Sequence, residues 1–273
     1  QLYNWKIQNA QGLYNYADIH CKGTLNFDEN AILTANAGGT GRITFLSGEW
    51  GSAQLGSMPP GATIAGDVTV QRFIPGNRNG WRFLTSPVKN QNISHWSTTI
   101  RSFGIEGPLR HMNPTVFYYV EGKGTNGNNG SDGWEPVRNP DHPISNRAFN
   151  IFFFGTDLQN GRNTLTNTGE LIQGDIRFDL DFTPESFGGG GWNLVPNPYQ
   201  ATLHWNGTGI LKNNVDDAVY IWDSQHQRYA SFVNGLAVNG EEPLIAPGQS
   251  FFVKASGSDS FIEFTEEAKN EKK

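Results

Sequence analysis

A repeat inside the chain constrains its fold more than any other feature. GWRFLTSPVKNQNISHW (residues 80–96) is echoed by GWNLVPNPYQATLHW (residues 191–205), with Gly-Trp, a proline (Pro87, Pro198) and His-Trp in the same order. Flanking blocks follow in register. GDVTVQRFI (residues 66–74) matches GDIRFDLDF (174–182), VFYYVE (116–121) matches VYIWD (219–223), and ISNRAFNIFFFG (144–155) matches IAPGQSFFVKAS (245–256). Four collinear blocks exceed what shared β-composition produces, so the sequence predicts two copies of one unit of ~100 residues, an ordinary domain size.

Within each copy apolar and aromatic residues recur at period two, as in Val68/Val70, Phe117/Tyr119, Ile151/Phe153, Ile176/Phe178/Leu180, Val219/Ile221 and Phe251/Val253. Between them lie turn-formers. The chain holds 33 Gly, 14 Pro and 28 Asn, too many for a helical bundle. The expected class is all-β: two tandem, internally duplicated β-sandwich (jelly-roll-like) modules preceded by a short solenoid-like or edge-strand segment. The boundaries are 1–65 for the N-terminal segment, 66–162 for copy 1, and 163–273 for copy 2 with its tail. In the first segment GTLNFDENAILTANAGGTGRITFL (residues 23–46) reads as short rungs separated by Gly and Asn. TEEAKNEKK at the end has helical composition without an apolar face, which is equally the signature of a solvated tail.

Composition and spacing narrow the chemistry. A formal charge of −6 without a Lys/Arg cluster argues against nucleic acid as a partner, and no apolar run approaches the ~20 residues of a transmembrane helix. Cys21 stands alone, so an internal disulfide is excluded. His20, His95, His111, His142, His204 and His226 are scattered, with no HExxH spacing for zinc. His95 and His204 occupy equivalent places beside Trp96 and Trp205, which favours a structural hydrogen bond over catalysis. There is no G-x-S-x-G elbow. The adjacent acids Asp216/Asp217 and Glu241/Glu242 sit in turn-like surroundings and read as solvated loops.

The blocks at residues 66–88, 191–205, 217–232 and 245–255 together resemble the non-catalytic β-rich region of large secreted Bacteroidota surface proteins, a region that commonly precedes a type IX secretion sorting domain. The resemblance covers roughly residues 24–269. It implies a piece of a longer exported chain and an extracellular or cell-surface address. Such proteins usually carry a VGNPYPSPIDW-like segment; here Pro196 replaces the small residue and His204 the acid.

These readings lead to a non-enzymatic extracellular structural or adhesion module, whose partners are neighbouring modules of the same polypeptide, other surface proteins or glycans. The alternative is a carbohydrate-binding module. Trp and Tyr at loop ends stack on the apolar face of a pyranose, and Trp50, Trp134 and Tyr229 are the residues in such contexts. Trp81, Trp192, Trp205 and Trp222 are assigned to packing. The expected cofactor list is empty apart from calcium, for which Asn126, Asn128 and Asp132 in the Gly-rich loop at residues 122–133 supply hard oxygen ligands. A third reading, a fragment of a glycosidase or lyase, would need a deep acidic cleft.

Overall fold

A computed structural model describes residues 3–76, 78–97, 99–101, 103–107, 110–123, 133–161, 163–184, 190–239 and 242–269. The architecture is all-β. The calcium candidates Asn126, Asn128 and Asp132 lie outside the described residues. Among the described residues, no helix is long and apolar enough to cross a membrane.

The N-terminal part is a parallel coil. Trp5–Ile7, Thr24–Phe27 and Gln54–Leu55 stack in one parallel ladder, and Leu13–Tyr14, Ile32–Thr34 and Thr63–Ala65 in a second. Ile19–Cys21, Ile43–Phe45 and Val68–Phe73 form the third. Side chains on successive turns therefore stack inward at one position: Cys21 beside Phe45 beside Val70, all buried. Burial pushes the Cys21 thiol up to about 11, away from the thiolate form.

A parallel stack ends in unpaired backbone groups, and later parts of the chain satisfy those of the third turn. Leu55 N–H donates to Gln200 O (2.7 Å), while the side-chain amide of Gln173 accepts from Ile64 N–H (3.0 Å) and donates to Ile64 O (2.8 Å), as another strand would. Thr164–Gly169 runs antiparallel to Val68–Phe73 over six residue pairs. Glu266 adds a further tie, accepting from Met58 N–H (2.8 Å) and Gly174 N–H (2.7 Å).

Two antiparallel sheets follow, with one order. The first runs Gly80–Leu84, Phe149–Phe153, Val116–Tyr119, Trp134–Pro136; the second runs Trp192–Pro196, Ser250–Lys254, Ala218–Asp223, Arg228–Val233, Leu236–Val238. Each thus places its first strand beside its last long strand. One face of each sheet carries a core. Phe149, Ile151 and Phe153 pack with Trp96, Val116 and Leu165 in the first, and Phe251 and Val253 with Trp205, Val219, Ile262 and Phe264 in the second. Trp96 stands edge-on to Phe149 (6.4 Å) as Trp205 does to Phe251 (6.2 Å), and both indoles are fully buried. Trp96 Nε1 donates to Asn167 Oδ1 (2.7 Å), whereas Lys212 Nζ lies 4.2 Å above the Trp205 ring.

Residues 266–269 depart from the solvated tail allowed above, and the rest of that stretch, residues 270–273, lies outside the described residues. Glu266–Ala268 is a single 3-10 turn, and Lys269 is buried with its Nζ 2.6 Å from Glu266 Oε2 and 4.6 Å from the Tyr199 ring. The apolar face missing from that turn is supplied by the body it docks on. Replacing Trp96 or Trp205 by Ala removes a buried indole that nothing nearby can replace. Each variant is expected to lose ~3–5 kcal/mol of unfolding free energy by denaturant titration.

Candidate functional site

The core faces account for only half of each sheet. Strand alternation sends Trp81, Phe83, Phe117, Tyr119 and Phe152 to the far face of the first sheet, and Trp192, Tyr220, Trp222 and Phe252 to the far face of the second. The two aromatic faces meet. Phe83 contacts Phe252 edge-on (5.5 Å), with Trp134 at 5.7 Å and Trp222 and Tyr229 each at 6.2 Å. Trp222 Nε1 donates to Trp81 O (3.1 Å), and Thr85 N–H to Gly248 O (3.0 Å).

The seam does not close along its whole length. Beyond Phe83 it opens into a cleft of about 380 Å³ lined by Tyr119, Trp134, Trp192, Tyr220, Tyr229 and Phe252. Its walls are ordered by edge-to-face contacts: Tyr119 on Trp134 (5.3 Å), Tyr119 on Phe252 (4.9 Å) and Trp192 on Tyr220 (5.0 Å). Lys254 Nζ lies 5.8 Å from the Trp192 ring centre. At the rim Tyr229 is 38% exposed, with Trp222 edge-on to it (5.1 Å).

Backbone geometry fixes both tryptophan walls. Gly133 precedes Trp134 and Gly191 precedes Trp192, and both glycines have positive φ (87° and 74°). A Cβ at Gly133 would fall 2.6 Å from the Tyr119 ring, and one at Gly191 would fall against Ala255 O. Glu121, two residues after Tyr119, ties the walls together. Its carboxylate accepts from Thr183 Oγ1 (2.8 Å) and from the amides of Thr183 (3.1 Å), Gly190 (3.3 Å) and Gly191 (3.1 Å). A carboxylate on the first sheet thereby holds the segment that places Trp192 in the second.

Of the three aromatic residues singled out from the sequence, Trp134 and Tyr229 share this cleft. Trp50 does not. It sits 52% exposed at the tip of the Ser47–Gly48/Gly51–Ser52 hairpin on the coil, with Lys22 Nζ 5.5 Å from its ring. Trp192, expected as a packing residue, is a cleft wall, and Tyr119, Tyr220 and Phe252 were not among the binding candidates. The signal available for them was a second run of aromatics alternating with the core residues, as in Val219-Tyr220-Ile221-Trp222. His95 Nδ1 lies 2.7 Å from Asn92 Oδ1, and His204 Nδ1 accepts from Asn206 N–H (3.3 Å), both local contacts. Asp216 and Asp217 are exposed, the latter paired with Lys212 (3.0 Å); Glu241 lies outside the described residues. Among the described residues, no group of three or more His, Cys, Asp or Glu side chains is placed to hold a metal ion.

Comparison of the chain with protein-family models, curated proteins and solved structures finds no match.

One phenol of the cleft is electrostatically distinctive. Burial, reinforced by the facing Tyr119, pushes the Tyr229 hydroxyl up to about 12. Its contribution to stability is complete below pH 10, the range of a free tyrosine, and is lost as pH rises through 12. Ultraviolet titration of the wild type against Tyr229→Phe is expected to show this phenol still largely protonated near pH 11.

Proposed function

We propose that the protein is a non-enzymatic extracellular adhesion module of a larger exported polypeptide, and that it makes contact by holding a sugar ring in the aromatic cleft. The observation that carries this reading is the cleft itself. Six aromatic side chains from both sheets converge there, and among the described residues no carboxylate lines it. Stacking on the C–H faces of a pyranose needs flat, fixed aromatic walls, and the tyrosine hydroxyls and indole N–H groups supply donors for its hydroxyls. A glycosidase would need two carboxyl groups ~5–10 Å apart across such a site.

The proposal includes the finer architecture: a parallel coil, then two descendants of one β-sandwich unit set with their aromatic faces together. Matching strand orders and the Trp96/Phe149 and Trp205/Phe251 pairs support it. In this reading Thr164–Gly169 is to Val68–Phe73 what Phe261–Phe264 is to Ile176–Asp179, so the first copy runs past residue 162 to about Leu171. The extracellular address and the kinship with type IX-secreted surface proteins rest on the sequence resemblance.

A glycan array followed by calorimetry tests the function. The expected result is binding to at least one glycan class, weakened about tenfold or more by Trp134→Ala and unchanged by Trp50→Ala. Uniformly flat glycan responses from the folded protein would overturn the sugar-binding reading.

A further inference from the structure

A second recess lies beside the edge strand Gly80–Leu84, between Pro75, Gly76, Arg78 and Asn79 on one side and the Ser224–Gln227 turn of the second sheet on the other, and differs in chemistry. It measures about 340 Å³ and is lined by Pro75, Gly76, Arg78, Asn79, Arg82, Ser224, Gln225 and Gln227. Arg82 reaches it from the strand Gly80–Leu84, on the face opposite Trp81 and Phe83, and is only 8% exposed. One guanidinium nitrogen donates to Trp81 O (3.0 Å), but Nε has no partner among the described residues. Arg78 is exposed on the same recess. Among the described residues, neither arginine has a carboxylate within ion-pair distance; Asp223, at the base of the opposing turn, is engaged by His226 Nδ1 (2.6 Å) and by the Gln225 and His226 amides.

Burying a guanidinium without a counter-charge is unfavourable, and burial lowers the Arg82 pKa. The fold nonetheless makes room for it. Gly80 has no side chain, and a Cβ there would lie 2.8 Å from Arg82 Nη1 and 3.1 Å from Gln227 Nε2, so the glycine lets the turn of the second sheet close over the arginine. Gln227 holds positive φ (53°) and donates to Ser224 O (2.8 Å), which shapes the opposite wall. The recess thus offers one buried and one exposed guanidinium with amide and hydroxyl groups around them, the complement of an oxyanion.

We propose that this recess is an oxyanion site, in which Arg82 and Arg78 clasp a sulfate, phosphate or carboxylate group. The group arrives either as a free ion or as a substituent of a saccharide. The site is independent of the aromatic cleft and does not rest on the sugar-binding reading.

Calorimetry of the whole chain with sodium sulfate, against sodium chloride at matched ionic strength, tests it. Saturable sulfate binding is expected, with affinity reduced at least about tenfold in Arg78→Ala and in Arg82→Met, and unaltered in Trp134→Ala. Arg78 is exposed, so its variant reports even if Arg82→Met fails to fold. Glucose 6-sulfate is the second arm: tighter binding than inorganic sulfate, dependent on the same arginines, assigns the group to a saccharide, and equal or weaker binding assigns it to the free ion. Sulfate and the sulfated sugar both behaving like chloride, or binding undiminished by Arg78→Ala, would overturn the proposal.

Discussion

Two sheets, each apolar on both faces, cannot each remain half in water, and their meeting at Phe83 and Phe252 organises most of the molecule. A solvated sheet alternates apolar and polar residues; these sheets alternate core aliphatics and seam aromatics. The seam buries one set while the flanking layers bury the other. It is closed where Phe83 meets Phe252, Trp134, Trp222 and Tyr229, and open where six rings line a cleft. The aromatic cleft is a product of that one contact, since neither sheet alone supplies two walls.

The contacts holding the seam in register are polar and few. Glu121 grips the segment before Trp192, Trp222 caps the Trp81 carbonyl, and the 248–249 turn bonds to Thr85 on one side and Asn197 on the other. Edge-to-face rings add directional preference to burial, each pair contributing roughly 0.5–1.5 kcal/mol. The parallel coil is fastened separately, through Gln200, Gln173 and Glu266, whose side chains and backbone satisfy strand edges that would otherwise invite aggregation.

Much of this is legible in the sequence, and what is not has a physical cause. Alternation marks the strands, Gly and Asn mark the turns, and the shared Gly-Trp and His-Trp steps mark the matching segments. Trp134 and Tyr229 stand out because each lies near a turn. Trp192, Tyr220 and Phe252 do not, because period two says only that a strand has two faces and is silent on what covers the second. Trp50 stands apart from them, since a loop-end tryptophan on the coil looks the same in sequence as one beside a cleft. Arg82 is hidden for a related reason, since a charged residue between Trp81 and Phe83 reads as the solvated side of a strand until the Ser224–Gln227 turn is seen to cover it.

The seam is tested most directly by a double-mutant cycle on Phe83→Ala and Phe252→Ala, read as unfolding free energy. Direct packing of the two rings predicts that the single losses fail to add, with a coupling of about 0.5–3 kcal/mol. Additivity within about 0.3 kcal/mol would mean that the aromatic faces do not rest on each other, and the cleft would lose its second wall.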